Sequence, residues 1–334
     1  MSIEKGAKVA VIGDGGWGTT LALLLHSKGY KVSVWGPFAD YLKLLDKKRE
    51  NPKFLPGVKI PKDISFSADI QEVISAAALI VLAVPSHFLR GVLSTIKKEE
   101  VSGSVILSAV KGIENDTLMR MSELIRDVWG EVKLAVLSGP TISYEVARAI
   151  PTTSVASSED IRVAREVQDV LISESFRVYT SSDVVGVELG GALKNVIAIA
   201  CGISDGLEFG VNTKAAILTR GLVEITRLGK ILGAKAETFA GLSGLGDLVT
   251  TCISTHGRNR WVGEQIGQGK KPKDILARME MVAEGVKTTK SALMLAKKHN
   301  VEMPITAQVY AVLYEDKEPK IAVSQLMLRG KKAE

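Results

Sequence analysis

The sequence predicts a doubly wound α/β domain followed by an all-α domain, and three observations carry that expectation. Short β-rich runs alternate with helical patterns through the first half, a cluster of glycines separates the first strand from the first helix, and strand signals stop near residue 182. A chain of 334 residues has room for two domains, expected at 1–182 and 183–334.

In chain order, Lys8–Ile12 (KVAVI) reads as a strand, Thr19–Ser27 as an apolar helix, Lys31–Trp35 (KVSVW) as a second strand and Tyr41–Leu45 as an amphipathic stretch. Leu79–Val84 (LIVLAV) is apolar throughout, as a strand covered on both faces must be. Ser104–Ser108, Lys133–Leu137, Thr152–Ala156 and Phe176–Thr180 add strands, mostly separated by helical patterns, which implies a mainly parallel sheet with right-handed crossovers. Past Ser182, Asp183–Gly206, Thr213–Leu232, Glu284–His299 and Thr306–Tyr314 read as helices, with glycine-rich interruptions around 241–246 and 267–269. No Pro- or Ser-rich linker divides the two parts, so packed domains sharing a cleft are expected, and only Arg329–Glu334 forms a charged tail.

Composition narrows the function classes. With 46% hydrophobic and 24% charged residues the chain is not disordered. No uncharged apolar run is long enough to cross a bilayer, and Met1–Gly6 has no signal-peptide character. Two cysteines, Cys201 and Cys252, cannot make a disulfide framework, and a reducing cytoplasm fits them. The formal charge of +6 invites nucleic acid as a partner, but the 43 basic residues are scattered among 37 acidic ones and aromatics are sparse. A mixed solvated surface and a small anionic substrate account for it better.

Directly after the first strand stands Gly13-Asp14-Gly15-Gly16-Trp17-Gly18, a G-x-G-x-x-G that opens a helix. Gly13 serves the tight turn, Gly15 the close approach of a pyrophosphate and Gly18 the packing of helix on strand, while the helix N-terminus offers free N–H groups to the phosphates. In this strand–turn–helix context the motif indicates a Rossmann-type domain that binds NAD or NADP. The acid that would hold the adenosine ribose is missing from the end of the second strand, which runs Trp35-Gly36-Pro37, and no arginine stands there for a 2′-phosphate. Asp40 and Lys43 lie on the following helix, so the choice of cofactor stays open. Lys111 leaves the end of a sheet strand, where ligands of open α/β sheets bind, and is either a phosphate ligand or an ordinary surface lysine. His87 is a helix-start residue or a catalytic acid.

The chemistry is expected on Leu189–Ala198 (LGGALKNVIA), an apolar helical run with one lysine in its middle. Helical side chains lean toward the N-terminus, over Gly190 and Gly191 in the case of Lys194, so its amine is expected to project into a space a substrate can fill. Burial lowers a lysine's pKa toward the range of a general base; the alternative is a lysine snorkelling to the surface. Arg258-Asn259-Arg260 offers two guanidinium groups suited to a phosphate, or else a solvated basic turn. Asp247, after the glycine-rich Gly241–Gly246, either caps a helix starting at Leu248 or binds a substrate hydroxyl.

Taken in order, GDGGWGTTLA and the later VWG, FLPG at 54–57, VPSH at 84–87, VKG at 110–112, SGPT at 138–141, LGGALKNVIAIACGISDG at 189–206, GLSGLGDLVTTC at 241–252, GRNR at 257–260 and VEMPIT at 301–306 resemble the bacterial-type NAD(P)-dependent glycerol-3-phosphate dehydrogenases over essentially the whole chain. That resemblance implies reversible reduction of dihydroxyacetone phosphate to sn-glycerol 3-phosphate for phospholipid synthesis by a cytoplasmic homodimer. It implies Lys194 as the acid–base group, Asp247 as a residue that orients a hydroxyl and biases the charge state of Lys194, and substrate contacts from Lys111, Gly139, Thr141, Asp247, Arg258 and Asn259. Gly16, Trp17, Lys111, Ser143, Arg258, Val282 and Glu284 then line the cofactor. Gly16 stands where the family often has serine, Ile142-Ser143 where it has Phe-Ala, and Gly257 where serine is frequent. The competing readings are a Rossmann dehydrogenase acting on a hydroxy acid or ketopantoate, and a non-catalytic dinucleotide-binding redox sensor. No metal site is expected.

Overall fold

The structure is a computed structural model that describes residues 3–331 apart from 256 and 280; Met1-Ser2 and the last three residues of the charged tail lie outside it. Contacts divide the chain into two compact units, residues 1–111 with 120–187, and 112–119 with 188–334. The helical unit therefore includes a short segment from the middle of the first half, pinned where Ser291 Oγ donates to the carbonyl of Ile113 at 3.2 Å.

Among the described residues the first unit holds ten strands: β1 (Lys8–Ile12), β2 (Lys31–Trp35), β3 (Glu50–Asn51), β4 (Leu55–Lys59), β5 (Ser65–Ser67), β6 (Leu79–Leu82), β7 (Val105–Ser108), β8 (Lys133–Ser138), β9 (Thr152–Ser157) and β10 (Phe176–Ser181). Eight of them make one sheet in the order β10-β9-β8-β7-β6-β1-β2-β5, and β3 pairs with β4 in a small antiparallel hairpin. From β5 to β8 the pairing is parallel throughout; β9 runs antiparallel to β8, and β10 parallel to β9. The apolar runs explain the middle of the sheet: Val9–Ile12 and Leu79–Leu82 are wholly buried, because helices cover both faces of a parallel sheet. The β6 strand ends at Leu82, two residues earlier than its composition predicts.

The chain steps outward from β1 to β2 and β5, then returns to β6 on the other side of β1. That reversal of strand order lies between β1 and β6, the place where an open α/β sheet binds its ligand. Hairpin β3–β4, which the sequence did not reveal, braces the turn after β1. Asn51, fully buried, donates through Nδ2 to the carbonyl of Asp14 and to Thr19 Oγ1, each at 2.8 Å.

The second unit is helical. Its long helices, Val184–Gly206, Val211–Ile231, Glu284–Lys298 and Pro304–Tyr314, lie within two residues of the sequence-based bounds. Helix Val184–Gly206 is long and apolar enough to cross a membrane, yet 94% of its apolar window is buried in the protein. It meets helix Arg258–Gly267 backbone to backbone: a Cβ on Gly202 would lie 1.9 Å from the carbonyl oxygen of Arg260, and one on Gly263 would lie 2.1 Å from that of Ile199. Residues 242–246 form a single π-helical turn leading into helix Asp247–Ile253.

Candidate active site

Within the first unit, the turn after β1 has the shape its glycines require. Gly13 adopts φ +126°, and a Cβ there would lie 2.7 Å from the carbonyl oxygen of Ala83, beyond β6. A Cβ on Gly18 would lie 1.9 Å from the carbonyl oxygen of Gly13, so the helix Gly16–Ser27 can sit this close to β1 only with glycine at 18. Around Gly15 a Cβ would meet nothing within 4 Å, which leaves the turn open to a ligand. Gly15 caps the helix without a side-chain hydrogen bond, so no side chain competes with phosphate for the first N–H groups. These features fit a dinucleotide pyrophosphate. Gly16 is explained locally: a side chain there would run into the carbonyl oxygen of Phe54, 2.6 Å from a built Cβ. Trp17 packs against the sheet's core and keeps a buried Nε1 without a hydrogen-bond partner among the described residues. Ser143 lies beside this helix, its carbonyl accepting from Thr20 Oγ1 at 3.1 Å, while the same hydroxyl reaches the carbonyl of Gly16 at 2.8 Å.

The carboxyl end of the same sheet gathers three predicted substrate residues. Lys111 Nζ donates to the carbonyl of Gly139 at 3.0 Å, and Thr141 Oγ1 donates to that carbonyl at 3.1 Å. Gly139 has φ +145° and packs 3.0 Å, by its built Cβ, from Ser154 Cα, so this crossing also needs glycine. His87 lies in the 3₁₀ turn Ser86–Phe88, as a helix-start residue would.

In the second unit Lys194, 7% exposed, forms a buried ion pair with Asp247, itself fully buried. Thr251 completes the cluster: its hydroxyl donates to the carbonyl of Asp247 at 2.7 Å and accepts from Lys194 Nζ at 2.7 Å. The amine is buried, as expected, but it is paired rather than solitary. Asp247 is the first residue of its helix rather than a cap, so its side chain is spent on Lys194. The expected opening over Gly190 is absent. A Cβ on Gly190 would lie 2.4 Å from the carbonyl oxygen of Ser243, so this glycine admits the π-helical turn that carries Asp247, not a substrate. Sequence reasoning missed Thr251, although its place four residues after Asp247 puts both on one helical face.

The Arg-Asn-Arg segment divides by role. Arg260 is bound by Asp205, Nε to Oδ2 at 2.7 Å, and Lys214 holds the other oxygen of that carboxylate at 2.6 Å. The Arg258 side chain makes no hydrogen bond or ion pair among the described residues; although part of its surface is exposed, its guanidinium is packed closely enough that desolvation lowers its pKa, against the charge of Glu284. Only one of the two guanidinium groups is thus available to a phosphate. Asn259 joins three helices, donating to Asn195 Oδ1 and accepting from the backbone N–H of Gly285, both at 2.9 Å. Val282 is half-buried just ahead of helix Glu284–Lys298, and Glu284 is that helix's first residue. No group of three or more metal-binding side chains occurs among the described residues.

Comparison with known proteins gives two family matches, NAD-dependent glycerol-3-phosphate dehydrogenase N-terminus over residues 8–164 and NAD-dependent glycerol-3-phosphate dehydrogenase C-terminus over 183–324. The chain is 50% identical over 329 residues to glycerol-3-phosphate dehydrogenase [NAD(P)+] of Syntrophotalea carbinolica, covering 98% of this chain and 99% of that one. It is 51% identical over 330 residues to the enzyme of the same name from Geobacter sulfurreducens, covering 98% of each. Among solved structures it resembles glycerol-3-phosphate dehydrogenase from Coxiella burnetii, with a TM-score of 0.93 at 37% identity over 97% of this chain and 99% of that one.

Proposed function

The chain belongs to the NAD-dependent glycerol-3-phosphate dehydrogenase family, and from that premise we propose that it interconverts dihydroxyacetone phosphate and sn-glycerol 3-phosphate with NAD(P) as coenzyme. The observation that carries the chemistry is the buried cluster of Lys194, Asp247 and Thr251. A proton donor held in a dry site, with its charge balanced by a neighbour, is what reduction of a ketone oxygen needs. When bound, the dinucleotide supplies or takes up the hydride. Lys194 Nζ gives a proton to the C2 oxygen as the ketone is reduced and takes it from the C2 hydroxyl in the reverse direction. Asp247 holds the ammonium in place and balances its charge, and the Thr251 hydroxyl fixes where Nζ points.

Arg258 binds the substrate phosphate, so that binding energy remote from C2 positions the reacting carbon; Lys111, Gly139 and Thr141 are read as substrate residues from the family resemblance. Asn259 serves this site by holding helices Val184–Gly206, Arg258–Gly267 and Glu284–Lys298 together. Within the first unit, Gly13, Gly15, Gly16, Trp17, Gly18, Lys111 and Ser143 hold the dinucleotide; Arg258, Val282 and Glu284 are read as cofactor residues from the family resemblance. The wider reading is a cytoplasmic homodimer that supplies phospholipid synthesis; it rests on the family and on two buried, unbridged thiols, Cys201 and Cys252. Initial rates of NADH and NADPH oxidation with dihydroxyacetone phosphate, hydroxypyruvate and ketopantoate test the activity. Fast turnover with the first alone is expected, and a preference for either of the others overturns the reading.

A further inference from the structure

The second strand lacks the acid that would hold an adenosine ribose, yet the structure places a carboxylate at that position from another part of the chain. Asp14, in the turn after β1, lies against Gly36, the residue that follows β2. A Cβ built on Gly36 would lie 2.5 Å from both Cγ and Oδ2 of Asp14, so the Asp14 carboxyl group occupies the side-chain space of that strand-end position. Glycine at 36 and the acid at 14 are therefore one feature: any side chain at 36 would displace the carboxylate.

Two sets of contacts keep Asp14 there. The backbone N–H of Gly13 donates to the carbonyl of Trp35 at 2.9 Å, tying the turn to the end of β2. Asn51 Nδ2 holds the Asp14 carbonyl at 2.8 Å. The carboxylate itself is poorly satisfied. Asp14 is 9% exposed, and its Oδ2 has no hydrogen-bond partner among the described residues. Burial raises its pKa, against the pull of its own backbone N–H and the charge of Lys53. A buried carboxylate oxygen without a donor is costly and calls for an explanation. A ribose diol set against this turn brings two hydroxyl donors to it.

We infer that Asp14 is the residue by which this chain selects NAD(H) over NADP(H), taking the ribose-binding part of the absent strand-end acid. The inference rests on the dinucleotide reading above and deepens it. A 2′-hydroxyl donates to the carboxylate, whereas a 2′-phosphate at the same place sets a second anion against it, and like charges in contact are strongly disfavoured. Lys53 is the cation whose charge acts on Asp14.

The test is calorimetric titration of the ligand-free protein with NADH and with NADPH, for the unmodified chain, Asp14→Asn and Asp14→Ala, alongside initial rates with dihydroxyacetone phosphate. The unmodified protein is expected to bind NADH at least about tenfold tighter than NADPH, and both variants to narrow that ratio by about tenfold or more. Asp14→Asn keeps the shape of the turn, so it reports on charge even if Asp14→Ala does not fold. No preference for NADH in the unmodified protein overturns the inference, as does an equal loss of both affinities in the variants, which would make Asp14 a structural part of the turn. Dinucleotide binding with no turnover of dihydroxyacetone phosphate would instead count against the proposed reaction and leave the binding ratio to decide for Asp14.

Discussion

Lys194 and Asp247 stand 53 residues apart in sequence and meet as a buried ion pair, with the Thr251 hydroxyl on the same ammonium group. Loss of a positioned acid–base group lowers rate by roughly 10²–10⁴-fold. Lys194→Ala is therefore expected to collapse kcat for dihydroxyacetone phosphate while NADH affinity, read by calorimetry, changes little. Near-normal turnover in this variant sinks the assignment. Asp247→Asn leaves a buried ammonium without its counter-charge, a change that costs about 3–5 kcal/mol when one member of such a pair is removed outright. The double variant Lys194→Ala/Asp247→Asn should then be less destabilised than the sum of the single ones, because each has already removed the other's partner. Denaturant midpoints of the four proteins measure that coupling.

The two arginines of 258–260 are expected to fail differently. Arg258→Ala should raise the KM for dihydroxyacetone phosphate and leave the folded protein about as stable, since the side chain makes no hydrogen bond or ion pair among the described residues that the substitution would break. Arg260→Ala abandons Asp205, which sits between Arg260 and Lys214, and should lower the melting temperature without a matching rise in KM. A lysine at 258 should restore charge but not full affinity, because it lacks the forked pair of donors. A KM rise in Arg260→Ala with none in Arg258→Ala would show that the ion-paired arginine reads the phosphate, and equal rises in both would remove the distinction drawn between them.

Much of this was legible in local sequence. Periodicity and apolar runs mark the large strands and long helices because each follows from short-range geometry, period two or period 3.6. Gly13, Gly15 and Gly18 are legible for the same reason: three positions of one turn fix its shape. What sequence did not reveal depends on segments brought together only by folding. Hairpin β3–β4 is too short to signal itself, and its Asn51 matters only because Asp14 and Thr19 come to it. Gly36 reads as a missing acid until Asp14 is seen against it. Arg260 cannot be told from Arg258 without Asp205.

Glu224 gives a pH dependence of stability that is independent of catalysis. It is 2% exposed on helix Val211–Ile231, and it accepts from the backbone N–H groups of Ile305 and Thr306 at 2.6 and 3.1 Å and from Thr306 Oγ1 at 3.2 Å, closing the start of helix Pro304–Tyr314. Burial pushes its pKa up to about 7 from 4.5, against those hydrogen bonds and the charge of Arg227. The folded chain thus keeps a proton that the unfolded chain releases above its ordinary value. This contribution to stability is full below pH 4.5 and is lost as pH rises through about 7. The loss amounts to about 3 kcal/mol. In urea unfolding at about pH 5 and about pH 8, the difference between the two conditions should shrink in Glu224→Gln, which holds no such proton. An unchanged difference would mean that the carboxylate stays ionised on its three donors.

The paired glycines before Lys194 supply the last contrast between a local and a folded explanation. Were Gly190 there to leave room for substrate, Gly190→Ala would narrow the pocket, raise KM and leave the fold untouched, even strengthening a helix in which alanine is favoured by about 1 kcal/mol over glycine. The structure predicts the opposite. A methyl group at 190 would lie 2.4 Å from the carbonyl oxygen of Ser243 and 3.0 Å from its carbon, both backbone atoms that cannot turn aside as a side chain can. The π-helical turn 242–246 must then retreat, and Asp247, one residue further on, retreats with it. Overpacking of this kind costs about 1–3 kcal/mol. Gly190→Ala should accordingly lower both the melting temperature and kcat, the second because Lys194 loses the carboxylate that holds it, while the KM for dihydroxyacetone phosphate stays near its original value.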